Sequence, residues 1–304
     1  MTGRVALAVD IGGSSLRVAQ AGGMGPGAVA RRAVSRATTT EELLAALADA
    51  AAEVLGPGLH RRPGVVVVAV PTFVEDDGRL ADCPNLPDLT GRPLATLVAD
   101  RLGAEEVVVV PDLAAAAVAE HRLGAGQGVF RLLVVALGTG VNAAALVDGR
   151  LVETAYGCLG DAGHVLVEPN GPACTCGGRG CLEAVASGWA LARDAAAGGL
   201  PTGPELSTRA SAGDPAATAL LTRAGTALGR AISTWSVLLF PDLVTVGGGL
   251  AAAGELLLGP ARAELDRVAP SYVRRRLAVV PSAVGSDATL AGAAVLATDA
   301  AGAD

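Results

Sequence analysis

No lysine occurs among the 304 residues, so all 23 basic side chains are arginines, set against 30 acidic ones. The net charge of −7 argues against DNA, RNA or an anionic membrane as a partner. It does not argue against phosphate, because helix N-termini and glycine-loop amides bind anions without side-chain cations. Aromatics make up only 2%, so the cores must be built from alanine, valine and leucine around 41 glycines, a globular α/β balance. No stretch of about eighteen apolar residues is free of charge or proline, so no spanning helix is expected. The apolar run that begins at Val5 is too short for a signal peptide and ends on Asp10, so a cytoplasmic location is expected. The length suffices for two domains, each with its own core.

Cysteine is scarce, five in all, yet three fall between Cys174 and Cys181, in Cys174-Thr175-Cys176-Gly177-Gly178-Arg179-Gly180-Cys181-Leu182-Glu183. Glycines permit the φ > 0 conformations that let sulfurs so spaced converge. His164, in Gly160-Asp161-Ala162-Gly163-His164, is the nearest fourth ligand, and Cys3His is a closed structural zinc set. A disulfide or free thiols are the alternatives, and His164 alone could be a packed core histidine. The absence of a small oxidised scaffold favours the metal.

This pattern of Gly-acid-x-Gly-His followed by Cys-x-Cys-Gly-x-x-Gly-Cys-x-Glu resembles the signature of the ROK family, which groups bacterial glucokinase-type sugar kinases with related repressors. The resemblance spans Asp10 to Ala294. It implies an α/β fold of the actin-like (RNase H-like) type, two-lobed, with ATP and sugar in the inter-lobe cleft. The smaller lobe is expected over 1–113 plus 288–304, and the larger, bearing the zinc loop, over 114–287.

Along the chain, the run from Val5 to Val9 and that from Leu16 to Ala19 read as strands flanking Asp10-Ile11-Gly12-Gly13-Ser14-Ser15. This could be a plain hairpin turn; its resemblance to the family's first phosphate motif makes Gly12, Gly13 and Ser14 nucleotide contacts and Asp10 a water-mediated Mg²⁺ ligand. A helix from Glu41 to Leu55 starts with a Thr39/Glu42 capping box and stops at Gly56-Pro57-Gly58. The run from Val65 to Val70 reads as a central strand. Thr72 stands where the family commonly has glycine, and Asn85, in Pro84-Asn85-Leu86-Pro87, matches a sugar-contacting asparagine that would otherwise read as a turn residue. Asp112 reads as the N-cap of the helix from Leu113 to His121, which should favour its ionised form. The resemblance gives it a second role as the base that accepts the attacking hydroxyl's proton. Pro111 replaces the family's asparagine there.

The strand, glycine turn and strand recur at Leu132 to Leu137 and Gly138-Thr139-Gly140, where Asn142, Ala143 and Ala144 follow in place of further glycines. Asp148-Gly149 reads as a hairpin turn. By resemblance, Asp161, His164 and Glu183 hold the sugar, and His164 also binds zinc. Glu183 alone would read as a first-turn acid complementing the helix dipole. Asp161 is one carbon shorter than the family's glutamate, which withdraws its carboxylate by roughly 1.5 Å. The stretch from Gly198 to Ser211 reads as an exposed loop, and a helix from Pro215 to Leu239 follows. A strand from Leu243 to Val246 ends in Gly247-Gly248-Gly249, matching the family's adenosine-side motif. A last strand, from Leu277 to Val280, and a closing helix from Asp287 complete the chain.

The function expected is transfer of the γ-phosphoryl of Mg-ATP to a hydroxyl, a primary 6-position-like one, of a hexose-like ring. A cyclitol or pseudo-sugar 7-kinase is the alternative, because Thr72, Pro111 and Asp161 all change the sugar pocket. A non-catalytic sugar-binding regulator is the third reading, disfavoured because the family's repressors carry a DNA-binding domain ahead of the first phosphate motif, whereas Asp10 lies within ten residues of the start here, and because the acidic charge is unsuited to DNA. Family members are often dimers or tetramers, so a homo-oligomer is expected.

Overall fold

The computed structural model describes residues 4–22, 25–56, 62–154 and 159–302. Pro57 and Gly58 of the expected helix stop, and Cys158, lie outside the described residues. The chain forms two compact units. Unit 1 comprises residues 1–127, 151–160 and 286–304, and unit 2 comprises 128–150 and 161–285.

Unit 1 opens with β1 (Ala6–Ile11), β2 (Ser15–Gly22) and β3 (Gly25–Ala33), then α1 (Thr40–Leu55), β4 (Val65–Val70), α2 (Leu94–Leu102), β5 (Glu106–Pro111) and α3 (Asp112–Leu123). Unit 2 contains β6 (Arg131–Leu137), β7 (Val141–Val147) and the first residue of its hairpin partner β8 (Arg150–Leu151). Next come α4 (Leu182–Ala186), α5 (Gly188–Ala197), α6 (Pro204–Ser211), α7 (Pro215–Leu239) and β9 (Leu243–Gly247). It closes with α8 (Glu255–Val268), α9 (Ser271–Arg274) and β10 (Ala278–Pro281), after which α10 (Ala288–Ala301) returns to unit 1.

The two sheets repeat one plan. In unit 1 the order is β3-β2-β1-β4-β5, and in unit 2 it is β10-β9-β6-β7-β8, the same plan written from the other edge. Each begins with an antiparallel hairpin, β1 with β2 and β6 with β7, and each adds parallel strands beyond its first strand. The duplication expected from the recurring glycine turn is therefore present in the backbone.

Alternation along β1 and β4 explains how unit 1 is layered, since successive side chains of a strand face opposite ways. Leu7, Val9, Ile11, Val66, Val68 and Val70 pack with α1 and α2 on one face. Ala6, Ala8, Val65, Val67 and Ala69 pack on the other with α10, through Leu290, Ala293, Ala294 and Ala297. The second face carries the smaller residues, and the helices against it lie close together. A Cβ placed on Gly292 of α10 would run into the Ala115 carbonyl of α3, so only glycine allows that approach.

Local signals account for several boundaries. The α1 capping box forms, with Glu42 N–H donating to Thr39 and Thr39 N–H to Glu42. Asp148 and Gly149 both take positive φ, 51° and 70°, as a tight two-residue hairpin demands. The segment expected to be an exposed loop before Ser211 instead contains α6. Proline at its start and buried Leu206 and Ala210, four residues apart, turn it into a helix with one apolar face. No helix among the described residues is long and apolar enough to cross a membrane.

Candidate functional site

In unit 1, Asp10 lies near the end of β1, 6% exposed, and pairs in register with Arg17 of β2. Arg17 donates from Nε to Asp10 Oδ2 at 2.7 Å and from a terminal nitrogen to Asp287 Oδ1 at 2.7 Å. Burial raises the Asp10 pKa, and Arg17 draws it back. A carboxylate is a suitable hard ligand for magnesium, and with Oδ2 taken by Arg17 the ion would meet Asp10 through Oδ1 or through water. The turn after β1 places Gly13 against Asn85. A Cβ at Gly13 would stand 3.2 Å from that of Asn85, so the two sequence motifs meet. Thr72 does not offer a free hydroxyl proton; its Oγ1 donates to the Asp82 carbonyl at 2.7 Å.

Asp112 is the first residue of α3, and Pro111, the last of β5, occupies the cap position expected for it. Proline has no side-chain acceptor, and the Asp112 carboxylate instead accepts the next N–H, that of Leu113, at 2.7 Å. The expectation that the helix start would favour the ionised form is corrected here. Asp112 keeps part of its surface open, yet burial of its carboxyl pushes the pKa up to about 6. Leu113 N–H works against the rise and the neighbouring Asp10 adds to it. Desolvation outweighs a single backbone dipole.

In unit 2, the ring of His164 and the sulfurs of Cys174, Cys176 and Cys181 converge, with one ligand atom from each lying within 4.8 Å of the others. Cys174 Sγ is 3.4 Å from His164 Nδ1, and Cys176 Sγ is 3.7 Å from Cys181 Sγ. Zn–S and Zn–N bonds of the usual lengths would give tetrahedral edges of about 3.5–3.8 Å, so the four groups fit such an ion. No described cysteine is disulfide-bonded, and Cys83 lies apart in the unit 1 core. Burial, then the neighbouring sulfurs, push Cys181 up to about 12, a shift that a divalent cation would reverse. The other ring nitrogen of His164 faces Asp161, 3.4 Å from Oδ2. Carboxylates commonly hold metal-binding histidines this way.

The glycine turns frame a cavity within unit 2. Gly138, Thr139 and Gly249 line a space of about 880 Å³ together with Trp189 of α5 and Ser207 of α6, and among the described residues no charged side chain lines it. That size suits a nucleoside-sized ligand. Gly248, between its two partners, has φ +87°, and a Cβ there would overlap the Leu137 backbone. Gly247 belongs to β9. Ala143 and Ala144 are buried in β7. Asn142 accepts the Ala162 N–H at 3.1 Å, tying β7 to the segment that carries Asp161 and His164.

Sequence reasoning missed Arg17, Trp189 and α6, and it named Asn142 only as standing where further glycines are usual. Arg17 was legible in principle as a charged residue between Leu16 and Val18, both buried in β2. The others depend on long-range packing. Glu183, placed as expected in the first turn of α4, has its carboxylate engaged by protein donors: Val141 N–H at 3.0 Å, Trp189 Nε1 at 3.4 Å and Thr175 Oγ1 at 3.5 Å.

The sequence model of the ROK family matches residues 6–300. A glucokinase of Thermotoga maritima is 36% identical over 236 residues, which cover 72% of this chain and 74% of that protein. An N-acetylmannosamine kinase of Escherichia coli is 33% identical over 303 residues, covering 96% of this chain and 97% of that one. The solved structure of a ROK family glucokinase from Streptomyces griseus, in complex with glucose and AMPPNP, matches with a TM-score of 0.77 at 30% identity over 97% of this chain and 99% of its own.

Proposed function

Because the chain belongs to the ROK family, matched over 6–300, we propose that it is an ATP-dependent sugar kinase acting on a primary, 6-position-like hydroxyl of a hexose or hexose-like ring. The relatives named glucokinase and N-acetylmannosamine kinase support the sugar-kinase class, and the Asp112 carboxyl carries the mechanistic reading. A group with a pKa of about 6 is ionised at neutral pH yet takes a proton readily, as a general base at pH 7 must. Phosphoryl transfer is loose and rests mostly on positioning and charge stabilisation, so a stronger base is unnecessary.

In this reading Asp112 receives the hydroxyl proton. Asn85, Asp161, His164, Glu183 and Thr72 serve the sugar, the last through its oxygen as acceptor. Gly12, Gly13, Ser14, Gly138, Thr139, Gly140, Gly247, Gly248 and Gly249 serve the nucleotide. Magnesium bound near Asp10 would supply charge neutralisation to the phosphates. A structural zinc on His164, Cys174, Cys176 and Cys181 would fix the loop that carries Asp161 and His164.

One observation favours a cyclitol or pseudo-sugar as acceptor. Asp161 is short and faces His164, so both groups that would meet a sugar hydroxyl are already turned toward each other. A pocket with changed hydrogen-bond partners discriminates strongly between ring types. The test is ADP release by the zinc-loaded protein with glucose, mannose, N-acetylmannosamine and a hydroxymethyl cyclitol. Turnover with at least one is expected. Their relative rates decide between sugar and cyclitol, and silence across the whole panel rejects the kinase assignment.

A further inference from the structure

Three pieces of unit 2 meet at Glu183. Its Oε2 accepts the N–H of Val141, the residue that follows the Gly138-Thr139-Gly140 turn, at 3.0 Å. A Cβ at Gly140 would come within 2.7 Å of the same oxygen, so turn and carboxylate are in direct contact. Oε1 accepts Thr175 Oγ1 at 3.5 Å, and Thr175 sits between Cys174 and Cys176. Oε1 also accepts Trp189 Nε1 at 3.4 Å, and Trp189 is part of the cavity wall. The backbone repeats the tie: Gly188 N–H donates to the Gly138 carbonyl at 2.8 Å and Trp189 N–H to that of Thr139 at 3.3 Å. A carboxylate has about four acceptor positions, and the protein's own donors account for most of them.

An arrangement of this kind transmits order. Whatever fixes the cysteine knuckle fixes Thr175, and through Glu183 it restrains the glycine turn. Whatever fills the cavity fixes Trp189 and the turn, and through the same carboxylate it restrains the knuckle. We propose that Glu183, beyond the sugar contact of the reading above, is a positioning residue that couples metal binding at His164, Cys174, Cys176 and Cys181 to nucleotide binding in the unit 2 cavity, Thr175 and Trp189 being the two arms of the coupling. This rests on the reading above that zinc and ATP are the two ligands. The coupling is reciprocal: nucleotide raises zinc affinity by the factor by which zinc raises nucleotide affinity.

The experiment measures zinc affinity of the full chain by competition with a chromogenic chelator, with and without a saturating non-hydrolysable ATP analogue whose binding is followed separately by calorimetry. The analogue is expected to raise zinc affinity at least about fivefold in the wild type, the lower end of usual coupling factors. Glu183→Gln leaves one side-chain acceptor for two N–H donors and should lose most of that gain. Thr175→Val deletes only a hydroxyl at an exposed position and should lose it too while keeping all four ligands. If the analogue binds and zinc affinity does not change, or if both variants gain as much as the wild type, the coupling is wrong and the nucleotide reading survives. If the analogue does not bind at all, both fall together.

Discussion

Asp112 carries a carboxyl pushed up to about 6 by burial, and the direction of that shift fixes two expectations. The base form is the ionised one, so kcat should decline by about tenfold for each pH unit below 6 and level off above it. For stability the sign is opposite. A carboxyl whose pKa rises on folding favours the folded state fully only below its ordinary 3.8, and that contribution disappears as pH rises through about 6. Asp112→Asn is therefore expected to lower kcat by roughly 10²–10⁴, to remove the acid limb of the profile, and to leave the unfolding temperature at pH 8 unchanged or higher. Rate profiles and thermal melts of the two proteins check this; a variant as active as the wild type would remove Asp112 from the mechanism. The identity of Asp112 as a candidate was legible from its neighbours in sequence, but its acidity was not. Helix position is a local property, and desolvation is conferred by atoms far along the chain.

Elements with a strong local signal were legible almost to the residue. Six apolar residues bounded by glycine and proline made β4, Leu182–Ala186 made α4, and Pro215 opened α7. Polar α6 escaped notice, since its helical face shows only in Leu206 and Ala210. Glu183 was placed correctly on α4, but its partners come from residues 141, 175 and 189, on three other segments, and no spacing rule joins them. Pairing within α8 and between α7 and α8 bears on the acid stability of unit 2. Glu264 of α8, 8% exposed in its side chain, accepts from Arg267 on its own helix at 2.7 Å and from Arg230 of α7 at 2.7 Å. The Arg267 hydrogen bond, followed by that to Arg230, lowers its pKa to about 2. A depressed carboxyl contributes stability that is complete above its ordinary 4.5 and is lost as pH falls toward 2. Urea midpoints of the wild type should therefore fall more steeply over that window than those of Glu264→Gln. Parallel curves would show that the pairing contributes nothing to folding.

At the scale of the whole molecule, the repeated sheet plan puts a glycine turn after the first strand of each unit, and among the described residues the thiol cluster lies in unit 2. A ligand that binds only the folded state stabilises it by mass action, about 2.7 kcal/mol at a hundredfold excess over Kd. Stripping the metal with a strong chelator should lower the melting midpoint by several degrees, at roughly 2–4 °C per kcal/mol, and stoichiometric zinc should restore it. A midpoint indifferent to chelator and zinc would leave the cluster without a structural metal. A different consequence follows from α10. It covers the alanine face of the first sheet, yet it is encoded after all of unit 2. While the chain emerges from the ribosome, that face has Ala115 of α3 but lacks its α10 cover through the synthesis of everything between the two helices, so truncation before α10 is expected to make unit 1 aggregate. A message with a stop codon after Asp287 should yield inclusion bodies, whereas co-expressing the missing helix as a separate peptide should recover soluble protein.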